Sequence, residues 1–552
     1  MVAAAIVALS AGDWVGLAGV LVAAAGIAVP FVWTLTRRRR QSDQAQSDQA
    51  RDVHAWWERS PRPHEADRAE AVVDNDSRSP VFHANITVSS VRGGWRQKYD
   101  WPTVPPKSRV RFSVPAEAEA QAGAGAPTEL RSGDHEVRLL FKDAQNRFWL
   151  REEGHLERLN PELLLWAEPR RAEMIRRQLE RDFTGLYGIT VRYGTGGART
   201  GYQETVTELL DRFERAARGG TCPDVLLGPH DWVGRLAGRG LIEPLTLSER
   251  QRAAFSPDAL AAMTYQGQLY GVPSTLDTVA LIRNTDLAPE APATVEELVA
   301  HGRALRADRA DFRILALQVG EEGDAYHAWP LLSSAGLDLF GRHGDGSWDP
   351  GVVLPGAPEA LAALRGLGDK GEQVLRQDVG DDTAMRLFLD RRTAFLVSAS
   401  RALVDIAAVN DTLPAGGRLP FAVSPVPGFA GGRPGVPMVS AYGFYVHSAA
   451  PNKALARDLV GDYLARLDVA ESIAGLQSRP SALMAAQDLA GLGEPVLAYT
   501  RECGRGDLMP SYPYMKEVWS ALGEAERRVI GGADPARTAQ SLVRAVTGHV
   551  HG

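Results

Sequence analysis

Two carboxylates, Asp277 in the run STLDT and Asp324 in GDAYHAWP, are the side chains whose chemistry could reach beyond structure. Paired across a cleft, one as proton donor and the other as base or nucleophile, they would meet the needs of glycosidic bond hydrolysis. Acids that only accept hydrogen bonds from hydroxyl groups account for the same residues without catalysis. The sequence has no GxxxxGK[ST] phosphate loop, no HExxH helix and no GxSxG elbow. Gly194-Thr195-Gly196-Gly197 follows a predicted strand but lacks the rest of a dinucleotide fingerprint, and it reads as a turn. Arg505-Gly506-Asp507 reads as a chance tripeptide. Cys222 and Cys503 are too few and too far apart for a disulfide framework or a thiolate zinc site. The expectation is a binding protein with no enzyme activity, no metal and no cofactor.

The elements that must position such residues are bounded by length and composition. At 552 residues the chain exceeds one compact core, and its 44% hydrophobic and 23% charged content is that of folded domains. A net charge of -7 offers no general positive field for phosphate backbones, so nucleic acid is excluded as a partner.

From Trp14 to Leu35 the run WVGLAGVLVAAAGIAVPFVWTL is uncharged over the length a helix needs to span a bilayer, and a transmembrane helix is expected over 14–35 after a short tail, 1–13. Arg37 to Arg40 follow it directly, and the positive-inside rule puts that end and everything after it in the cytoplasm. Residues 36–65 read as a basic and polar juxtamembrane linker. It contains the duplication QSDQAQSDQA and then RDVHAWWERS, a tether or a short helix near headgroups with Trp56 and Trp57 at the interface.

Between 66 and 159, the runs AEAVVDND, VFHANITV, SRVRFSV, EVRLLFKDA and NRFWLREEG predict the strands of a small β-sandwich, with AEAEAQAGAGAPTEL as a loop within it. From 160 to 552 the pattern changes to α/β. LLLWA, ITVRYG and PDVLLG read as strands, and AEMIRRQLERDFTGLYG and YQETVTELLDRFERAAR as helices, which predicts parallel sheets flanked by helices. So long a stretch calls for two α/β lobes facing each other.

Several segments of this region, in order, carry a resemblance. They are PDVLLGPHDWVGRLAGRGLIEPL, YQGQLYGVPSTLDTVALIRNTDLAPEAPATVEELVAHGRAL, AYHAWPLLSSAGLDLF, FLDRRTAFLVSASRAL, SAAPNKALARDLVGDYL and GDLMPSYPYMKEVWSAL. Together, from about 160 to 548, they resemble the extracellular solute-binding proteins of the maltose/maltodextrin-binding kind. The resemblance implies the type II periplasmic-binding-protein clamp, closing by a hinge on a sugar and presenting it to the membrane subunits of an ABC importer.

The resemblance also implies ligand-binding residues. Asp231 and Trp232 in GPHDW, Asp277, Asp324 with Tyr326, and Trp519 in MKEVWSAL fall on or beside its sugar-contacting positions. Gly228 and Arg401 stand where the family has stacking tryptophans, Ser520 and Gly523 where it has Tyr and Arg. Glu168 and Arg170 of WAEPRRAE replace its Asp-Lys pair. With these departures a different oligosaccharide, or a smaller or partly charged solute, is as good an expectation as maltose itself. The functional expectation is a membrane-anchored sugar-binding component of an ABC transport system. The alternative is a membrane-anchored sugar sensor or interaction module that turns the same clamp to the cytoplasm. The resemblance places the clamp outside the membrane, against the positive-inside reading.

Overall fold

The computed structural model describes residues 49–59, 69–90, 96–113, 135–194, 206–309, 311–344, 347–487 and 493–550. The chain divides into two compact units, Met1–Asn160 and Pro161–Gly552. The expected membrane helix over 14–35 lies outside the described residues, as does the Ala/Gly-rich loop 116–130. Among the described residues no helix is long and apolar enough to cross a membrane.

The first unit consists of two antiparallel sheets around one core. β1 (Val53–Arg59), β2 (Ala69–Asn75) and β5 (Ser108–Ser113) form one sheet in the order β1-β2-β5. β3 (Val81–Ser90), β4 (Arg96–Val104), β6 (His135–Lys142), β7 (Phe148–Glu152) and β8 (His155–Leu159) form the other in the order β4-β3-β6-β7-β8. Val53, Ala71, Val73, Ile86, Leu139, Phe141 and Trp149 share the core. The reading of RDVHAWWERS as a tether or interfacial helix is corrected here, because Val53–Arg59 is a strand paired residue by residue with Arg59↔Ala69 to Val53↔Asn75. The cause is a period-two pattern: Val53, Ala55 and Trp57 turn to the core. Trp56 donates to Glu58 at 2.7 Å beneath the guanidinium of Arg109. Ala50, just before the strand, is also fully buried.

In the second unit, one lobe is built on a sheet in the order β10-β9-β11-β19-β12, with β20 added beside β19. Its strands are β9 (Glu162–Trp166), β10 (Thr190–Gly194), β11 (Val225–Pro229), β12 (Gly271–Asp277), β19 (Met438–Val446) and β20 (Asp507–Leu508). Helices α1 (Pro169–Gln178) and α2 (Val206–Gly219) connect the first three strands, which run parallel as read from the sequence. The sheet as a whole is mixed, not parallel, because β19 re-enters from the other lobe and pairs antiparallel with both β11 and β12. β11 and β12 are buried along their whole length, as strands covered on both faces must be.

The other lobe has a four-stranded sheet in the order β14-β17-β13-β18, from β13 (Val279–Asn284), β14 (Ala316–Leu317), β17 (Phe395–Ala399) and β18 (Phe421–Ser424), plus a hairpin of β15 (Phe340–Arg342) and β16 (Trp348–Val353). Its core, with Trp329, Phe312, Phe340 and Phe395, is closed by α3 (Ala325–Ser334), α4 (Ala357–Leu367), α6 (Met515–Ile530) and α7 (Pro535–Val550). A further helix, α5 (Ala402–Thr412), follows β17.

The chain passes between the lobes three times, at Asp277–Val279, between β18 and β19, and along β20 towards α6. These passages are laced together. Thr278 Oγ1 donates to the Met438 carbonyl at 2.9 Å, and Met438 pairs with Asp507 across β19 and β20. At the first passage, Asp277 Oδ1 accepts from the Thr278 N–H at 3.0 Å, and from the Ser400 N–H at 3.1 Å and its hydroxyl at 2.7 Å, while Oδ2 pairs with Arg479. Both members of that ion pair are almost fully buried, and burial holds the Arg479 guanidinium well below its ordinary pKa. Removing one partner of a buried pair leaves the other charge uncompensated, so Asp277→Asn should cost roughly 3 kcal/mol in urea unfolding. Asp277→Asn combined with Arg479→Met should recover much of that loss; a single variant with wild-type stability would show that the pair carries no such weight.

Candidate functional site

The first lobe's sheet brings its chemistry to one edge. β9, β11 and β12 end there, and β19 begins there, so Glu168, Asp231, Asp277 and Tyr442 gather at the carboxyl ends of the parallel strands. In open α/β sheets that edge is where ligands are received. The second lobe meets it with residues from the loop before α3, from the start of α5 and from α6.

Asp324 is the N-cap of α3. It accepts from the His327 N–H at 3.1 Å, lies 3.0 Å from His327 Nδ1 and takes a hydrogen bond from the Gln318 amide. Burial alone would raise the Asp324 carboxyl, but His327 and these hydrogen bonds hold it below its ordinary value. The Asp324 N–H donates at 2.7 Å to Glu526, a fully buried acid that burial and the Asp324 charge push well above the carboxylate range. Burial and the neighbouring Asp324 charge thus both favour the neutral form of Glu526.

One departure from the family pattern has its explanation here. A Cβ at Gly323, whose φ is +82°, would fall 1.8 Å from the Gly523 carbonyl, so the loop carrying Asp324 lies directly on the α6 backbone. A Cβ at Gly523 would itself meet the Glu322 carbonyl oxygen at 3.0 Å, so a side chain there would crowd that contact. Gly228 is similar, since an added Cβ would meet the Trp232 ring at 2.3 Å. Trp232 fills the space that a tryptophan at 228 would need, and it is itself only 4% exposed.

Tyr326 and Trp519 form an aromatic wall on the second lobe with ring centroids 6.4 Å apart, backed by Trp329 at 5.9 Å from Trp519. Both are half-buried. The Tyr326 hydroxyl reaches across to the Asp277 carbonyl at 3.4 Å and to the Ser440 hydroxyl at 3.3 Å. Trp519 Nε1 donates to Met509 Sδ at 3.2 Å.

His230 ties these parts together and was not singled out from the sequence. Its Nδ1 accepts from the Ala441 N–H at 3.0 Å and its Nε2 donates to the Met509 carbonyl at 2.7 Å. Burial pushes its pKa down to about 4, which keeps the ring neutral and its two roles distinct. The only hint was its place beside Asp231 in GPHDW.

The arginines of the cleft are also matched. Arg171 bonds Glu168 at 3.1 Å with its guanidinium 3.3 Å over the Tyr442 ring. Arg401 pairs with Asp381, and Arg170 at the start of α1 reaches both carboxylate oxygens of Asp405 on α5 at 3.4 Å, from one lobe to the other. Asp231 is different. Half-buried in the turn after β11, it accepts only its own N–H and has no cationic partner among the described residues.

Of the residues read from the sequence, then, Asp231 lies in the turn after β11 at the first lobe's sheet edge, and Asp324, Tyr326 and Trp519 belong to the second lobe, where the Tyr326 hydroxyl reaches the Asp277 carbonyl. Asp277 and Trp232 are buried, one engaged in the interlobe passage and the other in packing. Among the described residues no group of His, Cys, Asp and Glu could hold a metal ion.

Comparison with known proteins now decides the family. Residues 182–495, more than half of the chain, match the bacterial extracellular solute-binding proteins. The chain belongs to that family. The galactooligosaccharide-binding protein of Bacillus subtilis (strain 168) is 25% identical over 348 residues, 60% of this chain and 78% of that one. The maltodextrin-binding protein of the same organism is 23% identical over 346 residues, 61% of this chain and 79% of its own length. A Thermus thermophilus maltotriose binding protein bound with maltotriose superposes with a TM-score of 0.61 at 23% identity, covering 70% of this chain and all of that one. That likeness is one of fold, and it establishes the two-lobed α/β architecture of the second unit. As a solute-binding protein the chain is a transport component and not an enzyme.

For this solute-binding protein the unpaired Asp231 has a thermodynamic consequence. Burial pushes its carboxyl up to about 6, against roughly 3.9 in an unfolded chain. At pH 7 the folded state therefore bears the cost of an ionised group, a cost relieved as pH falls through 6 and absent below about 4, where both states are protonated. Asp231→Asn should stabilise the unliganded protein by about 1 to 2 kcal/mol at pH 7. In thermal melts that advantage should shrink to nothing near pH 4; an advantage independent of pH would assign it to another cause.

Proposed function

We propose that this chain is the receptor of an ABC importer for a sugar or short oligosaccharide, with Asp231, Asp324, Tyr326 and Trp519 as the contacts to the solute. The observation that carries the reading is a pair of lobes joined by laced passages, with Asp231 at the sheet edge of one and Asp324, Tyr326 and Trp519 on the other. Hydroxyl groups need acceptors such as Asp231 and Asp324, and the C–H faces of a sugar ring need an aromatic wall such as Tyr326 with Trp519. The relatives named for galactooligosaccharide and maltodextrin support it. Asp277 and Trp232 act at one remove in this reading: the first holds the passage about which the lobes close, the second holds the turn that carries Asp231. The missing tryptophans at 228 and 401 favour a solute other than maltodextrin.

A total of about -8 kcal/mol, micromolar affinity, is within reach of a few buried hydrogen bonds and one or two stacked rings. Asp324→Ala with Trp519→Ala should weaken oligosaccharide binding by about a hundredfold or more in calorimetric titration, through the loss of one charged acceptor and one stacking face. Unchanged affinity in that double variant would refute the site.

The clamp works outside the membrane in this reading, tethered by the apolar run 14–35, with the two antiparallel sheets of the first unit as a sandwich-like spacer between tether and clamp. The family's extracellular character supports this side and Arg37 to Arg40 oppose it. Reporters active on only one side of the membrane, fused after Gly552 in the full chain, should report from outside. Activity inside would exclude solute capture from the surroundings and favour a cytoplasm-facing sensor.

A further inference from the structure

The contact between Arg170 and Asp405 joins the lobes away from the passages. Arg170, in the first turn of α1, reaches both carboxylate oxygens of Asp405, in the first turn of α5, at 3.4 Å. We propose that this pair is a latch across the mouth of the cleft: it draws the lobes together before any solute is present and gives way when they open. The inference goes beyond the sugar-receptor reading and holds whatever the solute is, since it needs only the two-lobed clamp.

Three observations carry it. The first is place. Arg170 follows β9, which lies three strands from β12 in the order β9-β11-β19-β12, about 14 Å at ordinary strand spacing. A rotation about the Asp277 passage therefore acts on this contact through a long lever, while it leaves the bonds of Asp277 itself in place. The second is exposure. Arg170 is 53% exposed and Asp405 28%, so water replaces either partner readily and the pair is weak enough to open. The buried pair of Asp277 with Arg479 has no such exchange available. The third is position on the helix. A cation in the first turn opposes the helix dipole, and α1 has no acid in that turn to offset it. Arg170 is thus unfavourable for α1 itself and favourable for the contact with Asp405, whose sign does suit the start of α5. The neighbours are engaged elsewhere. Arg171 is held by Glu168 and the Tyr442 ring, and Arg401, which stands four residues before Asp405 at the spacing of a helical ion pair, is turned to Asp381 instead.

The test is a distance measurement on the unliganded full chain, between spin labels carried by Arg177→Cys on α1 and Ala408→Cys on α5, both exposed positions, with Cys222→Ser to leave only the buried Cys503. Asp405→Asn and Arg170→Gln, each a surface change, should each lower the ratio of closed to open clamp by about two- to fivefold and lengthen the mean distance. Raising salt from about 0.1 to 1 M should do the same to the unaltered pair, because the screening length falls from about 10 to 3 Å. Asp405→Glu should keep the short distance. Arg170→Gln combined with Asp405→Asn should be no more open than either change alone, as for two residues that act only through each other. A distance distribution that both single variants and salt leave unchanged would overturn the latch, and so would fully additive effects in the double variant. Every reading is taken without solute, so either failure leaves the sugar-receptor reading standing.

Discussion

The passage of the chain between two lobes depends on how one buried carboxylate is satisfied. Asp277 ends β12 in the first lobe, takes hydrogen bonds from Thr278 and Ser400 of the second, and pairs with Arg479 of the first. A charge so deeply buried is tolerated only when every lone pair is used. That requirement holds β12, β13 and the end of β17 in one arrangement. Thr278 bound to Met438, and Met438 paired with Asp507, extend the constraint to the other two passages. The lobes can then rotate about a fixed seam, as hinge closure requires.

The cleft inherits its geometry from this seam. Tyr326 touches the Asp277 carbonyl and Ser440, so the aromatic wall of the second lobe is referenced to the edge of the first lobe's sheet. The Gly323 loop lies against the α6 backbone, and Glu526 from the same helix receives the Asp324 N–H. An acceptor and a stacking face are in this way both set by α6. Asp231 is left without a cationic partner among the described residues, at a cost to folding. Such local costs are the usual mark of a binding site.

Much of this was legible before any coordinates. The ordered segments from PDVLLGPHDW to GDLMPSYPYM led to the clamp, and Asp231, Asp324, Tyr326 and Trp519 were named from them. The runs of the first unit form β2, β3, β5, β6 and β7. RDVHAWWERS was misjudged although its alternation was visible, because two adjacent tryptophans after a basic run suggested a membrane surface more strongly than a strand. Asp277 was read as a solute contact for want of its partner: Arg479 lies some two hundred residues further on, and nothing local marks it.

Composition and periodicity by themselves determined the α/β character of residues 160–552 and the excluded chemistries, since these depend on local preference and residue identity; the candidate sugar contacts came from the resemblance to the solute-binding family. Which acids remain available could be decided only by the tertiary structure. Whether a carboxylate is free or spent is a property of what burial and distant segments bring to it. Asp277 and Asp231 stand at equivalent edges of one sheet, yet the first is held by Arg479 and Ser400 and the second by no cation among the described residues.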